Sequence, residues 1–471
     1  MSFFLYDITF FLIFTAIVVT FLYVKRKNLK RDGVMYLYRT SVGLKIINYL
    51  GKKYKRTLTF LSYVSVTLGY ILMISMIWLL YQTTKLFFQP EFVQAVKIPP
   101  LMPLIPYISD IFQVTWLPPF YFTYWIIVLG IIAITHEGAH GIFARFYNVK
   151  IKSTGFGFLG PFMAFFVEQD DKQMQKRKIF PQLTILSAGV FANIITALLF
   201  FVIMIGFFQA SYSPAGVVFT DYTFSVFPAP IMQNATITSE IIKIDGLNLT
   251  RIEIENKSYF ASAEIISLKT KNSTNATLIG LYQDQPAIRN AMRGAIIKVN
   301  DLKITNRSDF ENILSSMKPG ENITIVTNFK QGSNKTLMTY EFALGEDYDN
   351  ESKPVIGTAS LMLKSTTLKG FFYKAINFFK DPAINYEPKY NEELTIFIYN
   401  LLWWIVLISI SVGLSNMLPA FVFDGGRFWY LTVLGITGHK KLAERVFKVF
   451  TFLLLAVFAL LMALWAVGMF F

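Results

Sequence analysis

A chain of 471 residues that is 54% hydrophobic, 17% aromatic and only 16% charged carries more apolar area than an ordinary soluble domain can hide or expose. Its net charge of +14 raises nucleic acid as a partner, but the basic residues flank apolar runs and form no stripe with interleaved aromatics, so nucleic acid is set aside and the charge is read as membrane topology. Without a single cysteine, disulfides, thiolate nucleophiles and Cys-type zinc sites are all excluded, and a metal must take His, carboxylate or water.

Apolar runs long enough to cross about 30 Å of hydrocarbon at about 1.5 Å per residue fall near 3–24, 60–82, 120–146, 179–209, 394–415 and 445–470. The first has no basic residues before it and no small-residue cleavage site, and "KRKNLKR" follows it, so it reads as a retained anchor rather than a signal peptide. By the positive-inside rule "KRKNLKR" (25–31), "GKKYKR" (51–56), "DDKQMQKRK" (170–178) and "GHKKLAERVFK" (438–448) face the cytoplasm. Six spans then place both termini outside. The expected fold is a polytopic α-helical membrane protein with these regions: two spans and loops over 1–118, a core over 119–209, an extracytoplasmic segment over 210–390, a span and loop over 391–430, and a loop with the last span over 431–471. The Pro-rich stretch 89–107 has no derivable role.

In the third span, "AITHEGAHGIF" (133–143) puts ionisable groups where they are costly and usually functional. Residues four apart share a helix face, so His136 and His140 can present two imidazoles to one cation, with Glu137 one position round. The pattern H-E-x-x-H on a helix predicts a metal that polarises water and a glutamate that accepts its proton. Two histidines leave a catalytic site one ligand short. His439, in a basic surface stretch, is a poor third; Asp424 in "NMLPAFVFDGGR" (416–427) is better, since Pro419 breaks the helix and Gly425 and Gly426 permit a tight turn.

The segment 210–390 turns polar and holds every N-x-S/T sequon: Asn234, Asn248, Asn256, Asn272, Asn275, Asn306, Asn322, Asn334 and Asn350. Glycosylation is expected there. Residues 294–329 read as strand, turn, strand, a helix capped at Ser308, turn and strand, an order that resembles a PDZ domain and its peptide groove; "EIIKIDGLNLT" (240–250) could make a second such unit. A small α+β domain that binds nothing is the alternative.

"HEGAH" and "NMLPAFVFDGG", far apart on two apolar segments with a PDZ-like insert before the second, resemble the site-2 proteases, intramembrane zinc metalloproteases whose patterns are H-E-x-x-H and N-x-x-P-x-x-x-x-D-G. The resemblance implies that His136, His140 and Asp424 bind one Zn2+, that Glu137 is general base and proton donor, and that Asn416 holds the scissile peptide or its oxyanion. "SAGVFANIITALL" is similar to the family's G-x-x-x-N stretch, which makes Asn193 a candidate for substrate or oxyanion support beside Gly189. "STGFGFLGPFMAFFVEQDDKQ" (153–173) is too rich in glycine for a helix and matches the family's re-entrant β-hairpin, whose edge could take an unwound substrate; Gly155 and Gly157 are assigned to that role. The implied function is endoproteolysis of membrane-anchored, single-pass proteins, in the cell membrane and near its cytoplasmic side. Phe421 and Phe423 depart from the family's smaller residues and are expected to narrow the cavity. Two other classes compete: a prenyl-protein protease, which needs a glutamate from another helix that this sequence does not offer, and a noncatalytic peptide-binding scaffold, which does not need Glu137.

Overall fold

The computed structural model describes residues 3–470 apart from 34, 90–98, 101, 113, 115–116, 160–161, 245, 269–277, 332–333, 360–377 and 422. Gly160 and Pro161 of the expected hairpin, most of the Pro-rich stretch, and the sequons at Asn272 and Asn275 fall outside the described residues. The chain divides into two compact units: residues 1–207 with 396–471, and residues 208–395.

The first unit is built on helices that are apolar all round, as bilayer-buried helices must be. They are α1 (Phe3–Lys25), α3 (Lys55–Phe87), α4 (Phe122–Phe146), α6 (Ile179–Ser211), α8 (Glu392–Asn416) and α10 (Lys440–Phe470), joined by the shorter α2 (Leu44–Lys53), α5 (Asp171–Gln175) and α9 (Asp424–Thr437). Among the described residues, six helices are long and apolar enough to cross a membrane, and they coincide with the six expected runs. The fold is that of a polytopic membrane protein with β-sheets added.

Small and hydroxyl-bearing residues let these helices approach closely, and each contact is specific. A Cβ on Gly69 of α3 would lie 3.1 Å from Ser187 of α6, and the Ser65 and Ser187 hydroxyls hydrogen-bond at 2.8 Å. Tyr70 of α3 reaches Thr432 of α9 at 2.9 Å, and Tyr147 donates to Ser62 at 2.9 Å. The core between them gathers Val66, Met73, Phe143, Ala144, Ile185, Val190, Met417 and Phe428.

Asp7 of α1 is 1% exposed. Its carboxylate accepts from the backbone N–H groups of Phe122 and Thr123 at 2.7 and 2.9 Å, from the Thr123 hydroxyl at 2.6 Å and from the Tyr107 hydroxyl at 2.7 Å. A side chain of one membrane helix thus satisfies the orphan donors at the start of another, α4.

The glycine-rich stretch forms β3 (Ile151–Leu159) and β4 (Phe162–Gln169), antiparallel, with Gly155 opposite Phe166 and Gly157 opposite Ala164. The basic stretch after α1, expected to be a plain loop, forms β1 (Leu29–Asp32) and β2 (Met35–Thr40), and β2 pairs with β3 to give a four-stranded sheet in the order β1-β2-β3-β4. A Cβ on Gly155 would lie 2.3 Å from the Tyr38 carbonyl and 2.5 Å from the Phe166 ring, so this glycine is required by the closeness of β2 and β4. Arg39 of β2 donates from Nε to Glu168 of β4 at 2.7 Å and ties together the two strands that flank β3.

Among its described residues the second unit carries two larger antiparallel sheets beside two short two-stranded ones. One comprises β6 (Phe224–Pro228), β7 (Thr236–Ile244), β8 (Leu247–Ile254), β9 (Lys257–Ser262) and β10 (Leu278–Gln283), in the order β6-β10-β9-β8-β7. The other runs β13 (Asn334–Ala343), β12 (Asn322–Gln331), β11 (Ala295–Val299), β5 (Tyr212–Val217) and β14 (Ile384–Pro388). The helix α7 (Arg307–Ser315) buries Phe310 in the core of this second sheet with Ile296, Val299 and Ile325. Every element expected over 294–329 is present, but the cap of α7 is Asn306, two residues before Ser308: its side chain accepts from Asp309 N–H, and the Asp309 carboxylate accepts from Asn306 N–H in return.

Candidate metal centre

Helix α4 places His136 and His140 one turn apart, both buried, and α9 begins with Asp424. The two Nε2 atoms are 3.1 Å apart, and Asp424 Oδ2 lies 3.4 Å from Nε2 of His136 and 3.3 Å from Nε2 of His140. A tetrahedron with metal–ligand distances of about 2.0 Å has edges of about 3.3 Å, so the three atoms occupy one face of such a tetrahedron. Among the described residues this is the one cluster of three or more His, Cys, Asp or Glu groups close enough to share an ion.

The surroundings set the direction of the ring lone pairs. His140 Nδ1 lies 2.6 Å from the Ile185 carbonyl, an acceptor, so the ring proton sits on Nδ1 and Nε2 offers a lone pair. His136 Nδ1 lies 3.0 Å from the Asn193 side-chain nitrogen, while the Asn193 oxygen is buried with no partner. Exchanging the amide's O and N, which look alike in shape, gives Nδ1–H a carbonyl acceptor. Both Nε2 lone pairs and a carboxylate oxygen then point to one place, an arrangement repulsive unless a cation stands there. The residues present fit a zinc ion.

Gly189 of α6 makes the room. A Cβ there would lie 2.4 Å from His140 Nε2 and 2.6 Å from His136 Nε2. Gly425 and Gly426 do the same for the acid: their Cβ atoms would lie 2.3 Å from the Met417 carbonyl carbon and 2.2 Å from the Ala420 oxygen, so the first turn of α9 folds directly onto the turn after α8 and presents Asp424 to α4.

Beside the cluster is a cavity of about 370 Å³ lined by His136, Glu137, Met163, Ala164, Phe165, Val412, Asn416 and Asp424, with Leu129, Ile132 and Ala133. Glu137 stands apart from the three clustered atoms, and its Oε2 accepts from Val167 N–H of β4 at 3.1 Å. Asn416, the last residue of α8, lines the same cavity. Asn193 is fully buried behind His136, and Gly155 and Gly157 lie in the inner strand β3; none of the three lines the cavity. Phe421 is 79% exposed and Phe423 packs with Leu80, Phe87 and Leu418, so neither narrows the cavity as expected. Residues that sequence reasoning passed over are Asp7, behind the start of α4, and the β4 positions 163–165; the acid in an apolar run was the available signal for the first.

The fold is that of a polytopic membrane protein, and His136, His140 and Asp424 form a group that could hold a metal ion. The family model for Peptidase family M50, the site-2 protease family, matches residues 124–463, and the chain belongs to that family. It is also 33% identical over 173 residues to an uncharacterised protein of Methanocaldococcus jannaschii, a stretch that covers 36% of this chain and 42% of that protein. The chain therefore matches less than half the length of that relative.

Proposed function

We propose that this chain is an intramembrane zinc endopeptidase that cuts within a transmembrane segment of membrane-anchored, single-pass proteins. The observation that carries the reading is the convergence of two imidazole nitrogens and one carboxylate oxygen beside a cavity that His136, Asp424 and a separate acid, Glu137, all line. His136, His140 and Asp424 would hold one Zn2+. When bound, zinc supplies the Lewis acidity that makes a water a better nucleophile and a carbonyl a better electrophile. Glu137 accepts the water's proton and returns it to the amide nitrogen that leaves; its hydrogen bond from Val167 N–H holds the carboxylate at the cavity wall. Asn416 donates from its carboxamide to the scissile carbonyl oxygen as negative charge grows there. Asn193 holds His136 in the tautomer that ligation needs rather than meeting substrate.

A helical substrate hides its amide bonds and must be opened before water can attack. Strand β4 supports a route: it ends the sheet, and its residues 163–165 line the cavity, so an unwound segment can add to its free edge. Gly155 and Gly157 serve this by letting β2 and β4 close on β3. Topology follows the basic loops: the cell membrane is the location, with the site toward the cytoplasm and the unit 208–395 outside. There α7 and the sheet around it form a PDZ-like module that takes trimmed substrate ends or filters by size. Nine of the sixteen asparagines between 208 and 395 are followed two residues on by Ser or Thr, where those two types make up about one residue in six, and the six asparagines outside that segment never are. The excess supports a glycosylated domain, checked by intact mass before and after deglycosylation.

One substitution tests the mechanism. Glu137→Gln should keep its zinc, measured by atomic emission, and lose cleavage of a reconstituted membrane substrate by about 10²-fold or more. Unchanged cleavage refutes the assignment.

A further inference from the structure

Eleven of the chain's 44 Lys and Arg, and one of its 30 Asp and Glu, fall within residues 25–56, between α1 and the start of α3. The other two basic stretches carry their own acids, Asp170 and Asp171 in one and Glu444 in the other. Arg26, Lys27, Lys30, Arg31, Lys45, Lys52, Lys53, Lys55 and Arg56 are all exposed, and none of them pairs with a carboxylate among the described residues. Arg39 is the exception, bound to Glu168. So dense a run of like charge, held together by the fold, repels itself unless something negative lies against it.

Helix α2 shows what kind of surface that is. One face is fixed: Ile47 and Gly51 are buried, a Cβ on Gly51 would lie 2.8 Å from the Ile142 carbonyl, and one on Gly141 would lie 3.1 Å from Ile47 Cδ1. These notches seat α2 on the last two turns of α4, where that span ends. The outward arc is mixed. At 100° per residue, Lys52 and Lys45 lie on one side of it, Tyr49 in the middle, and Lys53 and Ile46 on the other. Ile46 is 65% exposed and Tyr49 53% exposed. Lys53 donates to the Tyr49 hydroxyl and stands 4.7 Å over its ring, so the aromatic and the cation act as one amphipathic tip. A soluble acidic partner would meet the charges but gain nothing specific from an isolated Ile and Tyr on one arc. A bilayer surface meets both, because apolar and aromatic tips enter the boundary between headgroups and chains while ammonium groups snorkel to the phosphates.

We propose that α2 and the basic residues on either side of it form a binding surface for acidic phospholipid headgroups, which dock this end of the metal-site helix α4 into the interface. The membrane-spanning fold is all it needs, and it stands whether or not the peptidase reading holds.

The test uses the full chain purified in detergent, exposed to equal amounts of phosphatidylglycerol and phosphatidylcholine, repurified, and assayed for retained lipid by mass spectrometry. Wild type should retain phosphatidylglycerol over phosphatidylcholine by roughly threefold or more. The variant Lys45→Gln/Lys52→Gln/Lys53→Gln/Lys55→Gln/Arg56→Gln should fall toward the ratio supplied. A control, Lys440→Gln/Lys441→Gln/Arg445→Gln/Lys448→Gln, should keep the preference, as should Glu137→Gln. Should the five-site variant misfold by thermal unfolding, Ile46→Ser/Tyr49→Ser keeps the charge and should lower total retained lipid. Retention at the supplied ratio by wild type overturns the proposal. So does equal loss in the control, or an acidic protein that copurifies and displaces the lipid.

Discussion

The unit that holds the candidate metal ligands and the unit 208–395 satisfy their buried polar groups in opposite ways. In the first, polarity is scarce and several buried polar side chains are partnered on another element: Asp7 on the start of α4, Ser65 on Ser187, Tyr70 on Thr432, and His140 on the Ile185 carbonyl. In the second, backbone ladders carry most of the pairing, and the charged side chains pair mainly at the surface, as Arg307 does with Glu311 and Lys335 with Glu392. An apolar medium offers no substitute partner, whereas water does. Single substitutions should therefore cost much in the first unit and little in the second, and a set of variants ranked by effect tests that contrast.

The largest losses belong to the cluster. His140→Ala and Asp424→Ala each remove one of three converging donors and should strip zinc from the purified chain, with cleavage lost in parallel. Full zinc retention in Asp424→Ala would show that another acid is the ligand. Gly189→Leu should do the same from the other side, since its Cβ would already stand 2.4 Å from His140 Nε2. Next comes Asn193→Ala, which leaves His136 Nδ1 without its partner and should weaken zinc affinity by about 10–100-fold in a chelator competition, with the fold intact. A drop in kcat at saturating zinc with unchanged affinity would instead favour the substrate-contacting role expected from sequence. Asp7→Ala strands two buried N–H groups at about 1–3 kcal/mol each and should lower the unfolding midpoint in detergent, while zinc stoichiometry stays at one.

What could be read from the chain follows the same contrast. In "THEGAH" the histidine spacing is set by the helix itself, so both proposed ligands and the acid proposed as base are visible in one line of sequence. Asp424 is visible because Pro419, Gly425 and Gly426 announce a forced turn, and the close approaches at both glycines bear this out. The β1–β2 hairpin was hidden by its own charges: "KRDGVMYLYR" contains a D-G turn signal and alternating Tyr36 and Tyr38, yet its lysines and arginines made it look like a loop. Asp7 reads as one odd acid until Phe122 and Thr123, over a hundred residues away, are known to start a helix beside it. The role of Asn193 depends on which amide atom faces His136 Nδ1, and that no periodicity encodes. For α7, Ser308 looked like the cap because the apolar pattern starts after it, but Asn306 has the better reach to Asp309 N–H.

The smallest effects should come from that cap, and they can be read at its own amides. Asn306→Ala should cost about 1 kcal/mol locally, seen as faster hydrogen exchange over residues 307–315 of the full chain. The Asp309 carboxylate accepts from the Thr305 hydroxyl at 2.7 Å, from Thr305 N–H at 3.1 Å and from Asn306 N–H at 3.3 Å, and these bonds hold its pKa below the usual 3.8. A depressed carboxylate stabilises the fold above its unfolded pKa, and that contribution disappears as pH falls through the folded value. Asp309→Asn should therefore speed exchange over 307–315 relative to wild type at pH 6, with the difference closing as pH falls through the depressed folded value. If the gap persists unchanged in acid, the carboxylate acts through shape alone, and the charge-assisted half of the capping box is wrong.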